Sequence, residues 1–427
     1  MIEIYPGCYQ GCTASGVAVL AEPMPSLRSV AVGLWVRAGG RDDPPGKEGL
    51  AHLLEHMTFK GTARHSAAEI AQAIDLLGGH LNAATANEYT FYYTEVLDEG
   101  LPPAVSILEE LVTLPRFARD DLGRERVVIE EEIRTIEDSP EDVAFQLLHE
   151  ALWPGGHPLG QPVVGRLASV AELGRDDLLE FFRHHYTPAR MALVACGRVD
   201  PTELLSLATR FGSGGEHDGE RPRRPPEPGS GVVLAERAIQ QVHLAVGFPT
   251  IPIGSPHRYG IEVLNALLGG GVSSRLFQRV REELGLAYTV FSATSYYSDA
   301  GALALYAATE EKKLPRVVDL LWGEVEALAR TPPPPSDLRR AIQRLVNAFL
   351  LGLDDPSGRM VRLGTAIALG RTPAPPDEVV RRLRAVTGEE VQELAQRFLN
   401  PDRAAWAAVG PCGDRLRQLL RPYAEVA

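Results

Sequence analysis

The two halves of the chain repeat one another, and this repeat limits the folds available to it. Residues 186–197 and 399–410 each follow a helix-like segment, turn at a proline and continue as an apolar run that ends in glycine. Residues 30–36 and 242–248 are a second pair of strand-like runs, each followed by a long helical stretch. Matching elements half a chain length apart indicate an internal duplication, so we expect two homologous domains.

Residues 212–231 separate the two repeats. Apolar side chains are missing there, and proline, glycine and charged residues dominate, which is typical of a linker. The predicted domains are therefore residues 1–211 and 232–427. Because strands and helices are grouped and some neighbouring strands pair as hairpins, the predicted fold class is α+β: two α/β-sandwich domains, each a mainly antiparallel sheet packed with helices.

Composition argues against several classes of protein. Of the 427 residues, 43 are Lys or Arg and 56 are Asp or Glu, which gives a formal net charge of −13. An acidic chain repels phosphate backbones and anionic lipids, so neither nucleic acid nor a membrane is an expected partner. We see no apolar run long enough to span a bilayer, no secretion signal and no disulfide framework among the cysteines. We therefore expect a cytoplasmic location.

Apolar periodicity in the first half predicts three helices and a strand pair, namely helices 48–59, 66–77 and 120–137 and strands 81–86 and 89–96. Ser66 and Glu69 form a capping box at the start of the second helix, and Pro140 stops the third. The residues that could carry chemistry lie mainly on the first and third of these helices.

The first helix carries the pattern His-x-x-Glu-His at residues 52–56. Residues four apart share a helix face, so the imidazoles of His52 and His56 can converge on one metal ion. Glu55 lies close to the same face, where it can accept a proton from a water whose pKa a zinc ion lowers to about 7. The alternative interpretation is a pair of unrelated histidines on an amphipathic helix; the position of the pattern on a helix after a strand argues against it.

A third ligand is expected on a nearby element, since a catalytic zinc usually has three protein ligands and one open position. The helix at 120–137 is the richest source of carboxylates. Glu125 and Glu132 are seven residues apart and share a face with an apolar stripe, where a carboxylate is costly unless it is paired or bound to metal. Glu130 and Glu131 are expected to face solvent. An ordinary acidic helix face is the alternative.

Three segments together resemble the pitrilysin/insulinase family of zinc metallopeptidases. They are residues 52–62, which hold the inverted His-x-x-Glu-His motif, residues 82–85 and residues 125–140. The resemblance covers nearly the whole chain and is strongest to short bacterial members that are similar to the mitochondrial processing peptidase.

The resemblance implies one zinc ion per chain, because the second half has no His-x-x-Glu-His pattern of its own. It assigns the metal to His52, His56 and Glu132, with Glu55 as the catalytic base and with Glu125 orienting the site. It also implies an edge strand that pairs with an extended substrate through main-chain hydrogen bonds. The residues of that strand are Asn82, Ala83, Ala84 and Thr85.

In the second half, residues 273–288 resemble the family segment that holds a catalytic arginine and a catalytic tyrosine seven residues apart. The matching residues are Arg281 and Tyr288. A tyrosine hydroxyl can stabilise a tetrahedral oxyanion, and an arginine can grip the substrate backbone or hold the tyrosine. Without the resemblance, an arginine in a charged helix and a tyrosine at the start of a strand are common structural features.

The predicted function is that of a zinc-dependent endopeptidase that hydrolyses unstructured peptides or presequences inside a closing chamber. In the family two two-domain units form that chamber, so a chain of this length needs a partner. The metal motif and the Arg281–Tyr288 pair occur in one chain, which favours a homodimer; a heterodimer with a homologous subunit is the other option. The competing hypothesis is a non-catalytic or partner-dependent subunit, against which the complete metal motif argues.

Overall fold

The computed structural model describes residues 1–212, 223–411 and 414–420, so residues 213–222 of the predicted linker lie outside the described part. The strands are β1 (Ile2–Tyr5), β2 (Cys8–Cys12), β3 (Ala18–Pro23), β4 (Ser29–Val36), β5 (Asn82–Thr85), β6 (Thr90–Leu97), β7 (Met191–Gly197), β8 (Val232–Glu236), β9 (Gln241–Pro249), β10 (Ala287–Tyr296), β11 (Gly301–Glu310) and β12 (Ala405–Gly410). The helices are α1 (Leu50–Thr58), α2 (Ala67–Leu76), α3 (Leu101–Thr113), α4 (Arg119–Asp138), α5 (Pro140–Leu152), α6 (Leu167–Glu172), α7 (Arg175–His185), α8 (Pro201–Ala208), α9 (Arg258–Leu268), α10 (Leu314–Arg330), α11 (Pro335–Gly352), α12 (Pro356–Ala368), α13 (Pro376–Ala385), α14 (Gly388–Phe398) and α15 (Asp414–Leu420). Of the helices in the described ranges, none is long and apolar enough to cross a bilayer.

Two sheets with a common topology form the framework. The first has seven strands in the order β1-β2-β3-β7-β4-β6-β5, and the second has five in the order β10-β11-β9-β12-β8. Each sheet has one parallel pair, β3 with β7 and β12 with β8, among otherwise antiparallel neighbours. Strands β3 to β7 are arranged as β8 to β12 are, and the β1–β2 hairpin extends the first sheet. The predicted α+β class and internal duplication are confirmed.

The chain folds into two compact units that are not continuous in sequence. Unit 1 consists of Met1–Ile133, Pro162–Arg223 and Leu350–Pro375, and unit 2 consists of Arg134–Gln161, Arg224–Phe349 and Pro376–Ala427. The continuous domains predicted at 1–211 and 232–427 therefore differ from these units in two segments. Residues 134–161 belong to unit 2 and residues 350–375 belong to unit 1. Apolar periodicity shows that a helix buries one face, but it does not show which sheet receives that face.

Helix α12 shows why residues 350–375 belong to unit 1. Met360 and Leu363 are fully buried in an apolar cluster on the face of the first sheet that Trp35 lines. Gly364 lies so close to the indole of Trp35 that no side chain fits between them. In unit 2, Leu148 and Leu152 of α5 pack in a similar way over Gly247 of β9. Each exchanged helix thus buries its apolar face on a sheet from the other half of the sequence.

A side chain at position 364 tests this packing. An added Cβ would lie 2.4 Å from Trp35 Cδ2, so we expect Gly364→Ala to destabilise the protein by about 1–3 kcal/mol, the usual cost of overpacking a core. Urea unfolding followed by tryptophan fluorescence measures the change. Gly123→Ala in α4 is the control, because no atom lies within 4 Å of its Cβ position and alanine is a better helix former. Equal stability of the two variants would contradict the described contact.

Candidate metal centre

Residues that flank helix α1 in the sequence define both of its ends. The carboxylate of Asp43 accepts hydrogen bonds from the backbone N–H groups of Gly49 and Ala51, both at 2.8 Å, and so caps the start of the helix. After the helix, Gly61 has a φ of +110°, a conformation that other residues rarely adopt. The apolar face between these ends is buried and consists of Leu50, Leu53, Leu54 and Met57. The His-x-x-Glu-His pattern therefore lies on a helix whose start is capped and whose apolar face is buried.

The two histidines of α1 lie side by side. Their ring centroids are 4.6 Å apart, and the rings are inclined at 64°. Burial, and secondarily the neighbouring His56, lowers the pKa of His52 to about 3. An imidazole in this environment stays neutral near pH 7, and neutral imidazole is the form that binds a metal ion.

Glu132 of α4 completes a group of three donors. Its Oε2 atom lies 3.7 Å from Nε2 of His52 and 3.7 Å from Nε2 of His56. Ligands bound at 2.0–2.1 Å to a tetrahedral zinc ion lie about 3.4 Å apart, so the spacing and the two-imidazole, one-carboxylate donor set fit zinc. The side chain of Glu132 is 40% exposed while that of His52 is 10% exposed, so the group faces solvent on one side. This is the arrangement of a site with an open position for water or substrate.

Glu125 lies two turns before Glu132 on α4 and contacts His56 on the opposite side of the ring from Glu132. Its Oε2 atom lies 3.2 Å from Nδ1 of His56, on the side of the ring away from Nε2. Its Oε1 atom lies 2.8 Å from Nζ of Lys60, a residue that sequence reasoning did not identify. Lys60 lies four residues after His56 and just beyond α1, and that spacing was the only signal in the sequence that could have indicated it.

Glu55 is buried on the same helix and is 8% exposed. Burial raises the pKa of its carboxyl, and a hydrogen bond from the hydroxyl of Thr85 opposes that rise. The charge of His56 lowers this pKa and that of Glu132 raises it. Glu55 directly precedes His56 on α1. A buried carboxylate with a raised pKa beside a candidate metal site is suited to accept a proton.

Strand β5 forms an edge of the first sheet, because its neighbour there is β6 alone among the strands that the structure describes. Asn82 and Ala84 point to solvent, while Ala83 and Thr85 are half-buried. The prediction of an edge strand at residues 82–85 is confirmed. Thr85, one of the residues predicted to bind substrate, also donates a hydrogen bond from its hydroxyl to Glu55. The edge strand and the buried carboxylate are therefore linked directly.

Arg281 and Tyr288 belong to unit 2, whereas the three converging donors His52, His56 and Glu132 belong to unit 1. Arg281 lies on a π-helical segment, Phe277–Glu283, and Tyr288 lies on β10. The guanidinium carbon is 4.3 Å from the centroid of the Tyr288 ring and 4.7 Å from that of Phe277. The predicted pair is thus in contact, and Phe277 is a third member that sequence reasoning missed. Tyr288 is 75% exposed, so its hydroxyl is open to a ligand.

Comparison with known proteins establishes the family. Residues 18–166 match the family described as "Insulinase (Peptidase family M16)", and residues 172–345 match "Peptidase M16 inactive domain". A protein of Mycobacterium tuberculosis named "uncharacterized zinc protease" is 40% identical over 420 residues, which cover 95% of this chain and 94% of the relative. The chain belongs to the M16 peptidase family. The resemblance to the pitrilysin/insulinase metallopeptidases is confirmed.

Other M16 proteins extend the likeness in sequence and in fold. The "uncharacterized zinc protease YmxG" of Bacillus subtilis is 34% identical over 94% of this chain and 97% of its own length. The crystal structure titled "peptidase M16 inactive domain" from Pseudomonas fluorescens has a TM-score of 0.88 at 21% identity and covers 95% of this chain and 98% of that chain. A protease from Helicobacter pylori has a TM-score of 0.87 at 18% identity, with 95% and 99% covered. These two structures share the M16 fold with this chain.

Proposed function

We propose that this M16 protein is a zinc-dependent endopeptidase that cleaves extended, unstructured peptides and binds one zinc ion per chain. The observation that carries the proposal is the convergence of one donor atom each from His52, His56 and Glu132, all within 4.8 Å of one another, beside the buried carboxylate of Glu55. Relatives named zinc protease support both the metal and the peptidase activity. The complete donor set argues against the competing role of a non-catalytic subunit.

The chemistry of the proposal divides between zinc and the protein. When bound, zinc would polarise the scissile carbonyl and increase the acidity of a water molecule. Glu55 would take the proton of the attacking water and then pass it to the leaving amine. Its raised pKa favours the first transfer, because a stronger base takes the proton of the water more readily. Thr85 would hold Oε2 of Glu55 in place during both steps.

The position of β5 at the edge of the first sheet supports the proposal that the substrate is an extended peptide. A peptide that adds to this edge would bond to the backbone of residues 82–85, and main-chain bonds require an extended segment but little particular sequence. Because the side chain of Thr85 contacts Glu55, a peptide on this edge would run past the proposed base. Unstructured peptides meet this requirement, whereas the strands of a folded protein are already paired.

We extend the proposal to a homodimer in which Arg281 and Tyr288 of one copy serve the metal centre of the other. The exposed hydroxyl of Tyr288 would stabilise the oxyanion, and Arg281, stacked between Tyr288 and Phe277, would hold the ring. A heterodimer with a homologous subunit is the alternative. Analytical ultracentrifugation of the purified protein tests for the dimer, and a monomer with full activity would overturn it.

Tyr288→Phe is expected to lower kcat about a hundredfold and to leave KM nearly unchanged, since it removes one donor to the oxyanion. Steady-state cleavage of a peptide by the variant measures both constants. Tyr259→Phe is the control, because Tyr259 also contacts an arginine in unit 2, with Arg258 at 4.8 Å from its ring. An unchanged kcat in Tyr288→Phe would make this tyrosine merely structural.

The proposed function is tested first by measuring zinc content and cleavage of a quenched, unstructured peptide, with and without chelator. One zinc per chain and chelator-sensitive cleavage that zinc restores are the expected results. One zinc per chain without cleavage would show that a partner subunit is required. Absence of zinc after growth and purification with zinc supplied would overturn the proposal.

A further inference from the structure

The two oxygens of Glu125 have different partners. Oε2 lies 3.2 Å from Nδ1 of His56, and Oε1 lies 2.8 Å from Nζ of Lys60. The carboxylate side chain is only 5% exposed, whereas that of Lys60 is 36% exposed. Lys60, Glu125 and His56 therefore form a chain of contacts from solvent to the metal centre.

A buried carboxylate is costly unless a positive charge or hydrogen-bond donors surround it. Lys60 provides a positive charge at hydrogen-bond distance, and its place just beyond the C-terminus of α1 is favourable for a cation. Without the ammonium group, the carboxylate of Glu125 would be more stable in solvent than in its buried position. It would turn outward, and the contact with Nδ1 of His56 would be lost. Lys60 thereby determines whether Glu125 can stay behind the histidine.

The two donor histidines differ in the hydrogen bonding of their Nδ1 atoms. When Nδ1–H of His56 donates a hydrogen bond to Glu125, Nε2 carries the free lone pair and faces Glu132, as a metal ligand must. Nδ1 of His52 is buried and has no hydrogen-bond partner among the described residues. Among the described residues, Glu125 is thus the one partner that bonds to Nδ1 of a donor histidine and so orients its ring.

We propose that Lys60 is a positioning residue for the metal centre, acting on His56 through Glu125. The inference rests on the proposed zinc site and adds to it a residue that touches neither metal nor substrate. Its effect is on the affinity for zinc, which can be measured in the absence of any peptide.

The test is the zinc dissociation constant of the full-length protein, measured by competition with a chromophoric chelator. Lys60→Met is expected to weaken zinc binding about tenfold, the lower end of the effect of removing a group that supports a ligand. Lys60→Arg is expected to stay within about threefold of the unchanged protein, because a guanidinium can pair with the same carboxylate. Lys47→Met is the matched control, since Lys47 is 35% exposed and pairs with Asp177 at 3.1 Å in the same unit.

A double-variant cycle shows whether Lys60 acts through Glu125. In the Glu125→Gln background, Lys60→Met is expected to have almost no further effect, because the carboxylate that it supports is gone. This double variant leaves no unpaired buried carboxylate, so it is informative even if Lys60→Met alone folds poorly. A tenfold loss that persists in the Glu125→Gln background, or an unchanged affinity in Lys60→Met, would overturn the proposal. Failure of the unchanged protein to bind zinc would instead overturn the proposed function itself.

Discussion

Glu55→Gln is expected to lower kcat for peptide cleavage by about 10²–10⁴-fold while zinc content stays at one ion per chain. The size of the loss is the usual contribution of a positioned general base. Zinc is retained because the three converging donors are His52, His56 and Glu132, and the carboxylate of Glu55 is not among them. Zinc analysis by mass spectrometry and single-turnover cleavage measure the two effects separately.

The pH dependence gives a second signature of Glu55. A general base works in its deprotonated form, so cleavage is expected to fall as the pH decreases through the pKa of Glu55. Burial raises that pKa, which moves the loss to a higher pH than for an exposed glutamate. The acidic limb should be absent in Glu55→Gln. The exposed Glu99 serves as control, and Glu99→Gln should leave rate and pH profile unchanged. Substantial activity in Glu55→Gln would rule out its role as the base.

His56→Ala is expected to abolish zinc binding at micromolar metal and to lower cleavage at least about a thousandfold. The variant removes one of three donors and also leaves Glu125 without its histidine partner. Loss of the metal removes several kcal/mol of transition-state stabilisation, and each 1.36 kcal/mol is a factor of ten in rate. Equilibrium dialysis against zinc, followed by the peptide assay, measures both losses.

His80→Ala is the matched control for this experiment, because His80 is an exposed histidine of unit 1 outside the donor group. Its zinc content and rate should equal those of the unchanged protein. Retention of a tightly bound zinc ion in His56→Ala would mean that the metal lies elsewhere. In that case the proximity of His52, His56 and Glu132 would have to be explained without a metal.

Local patterns in the sequence predicted the parts of this protein whose geometry is local. The four-residue spacing of His52 and His56 placed both rings on one helix face, because an α-helix turns once every 3.6 residues. The capping box of Ser66 and Glu69 appears at the start of α2 as predicted. The repeat of strand-like runs predicted a duplication, which the common order of β3 to β7 and β8 to β12 confirms.

Tertiary packing decided how these parts combine. From the residues alone, Glu125 and Glu132 were equivalent candidates on one face of a helix, and the family resemblance was needed to separate them. The structure distinguishes them, because Oε2 of Glu132 faces both Nε2 atoms while Glu125 lies at Nδ1 of His56, next to Lys60. Thr85 reaches Glu55 only because β5 lies beside α1 in the folded unit.

The exchange of residues 134–161 and 350–375 between the units has the same origin. The apolar faces of helices α5 and α12 do not indicate which sheet covers them. Close packing determines the partner sheet, as at the contact between Gly364 and Trp35. Helical periodicity and capping arise from residues within a few positions of one another, so the sequence displays them directly. The contacts that complete the site join residues far apart in the chain, and these depend on how whole elements pack, which no local pattern encodes.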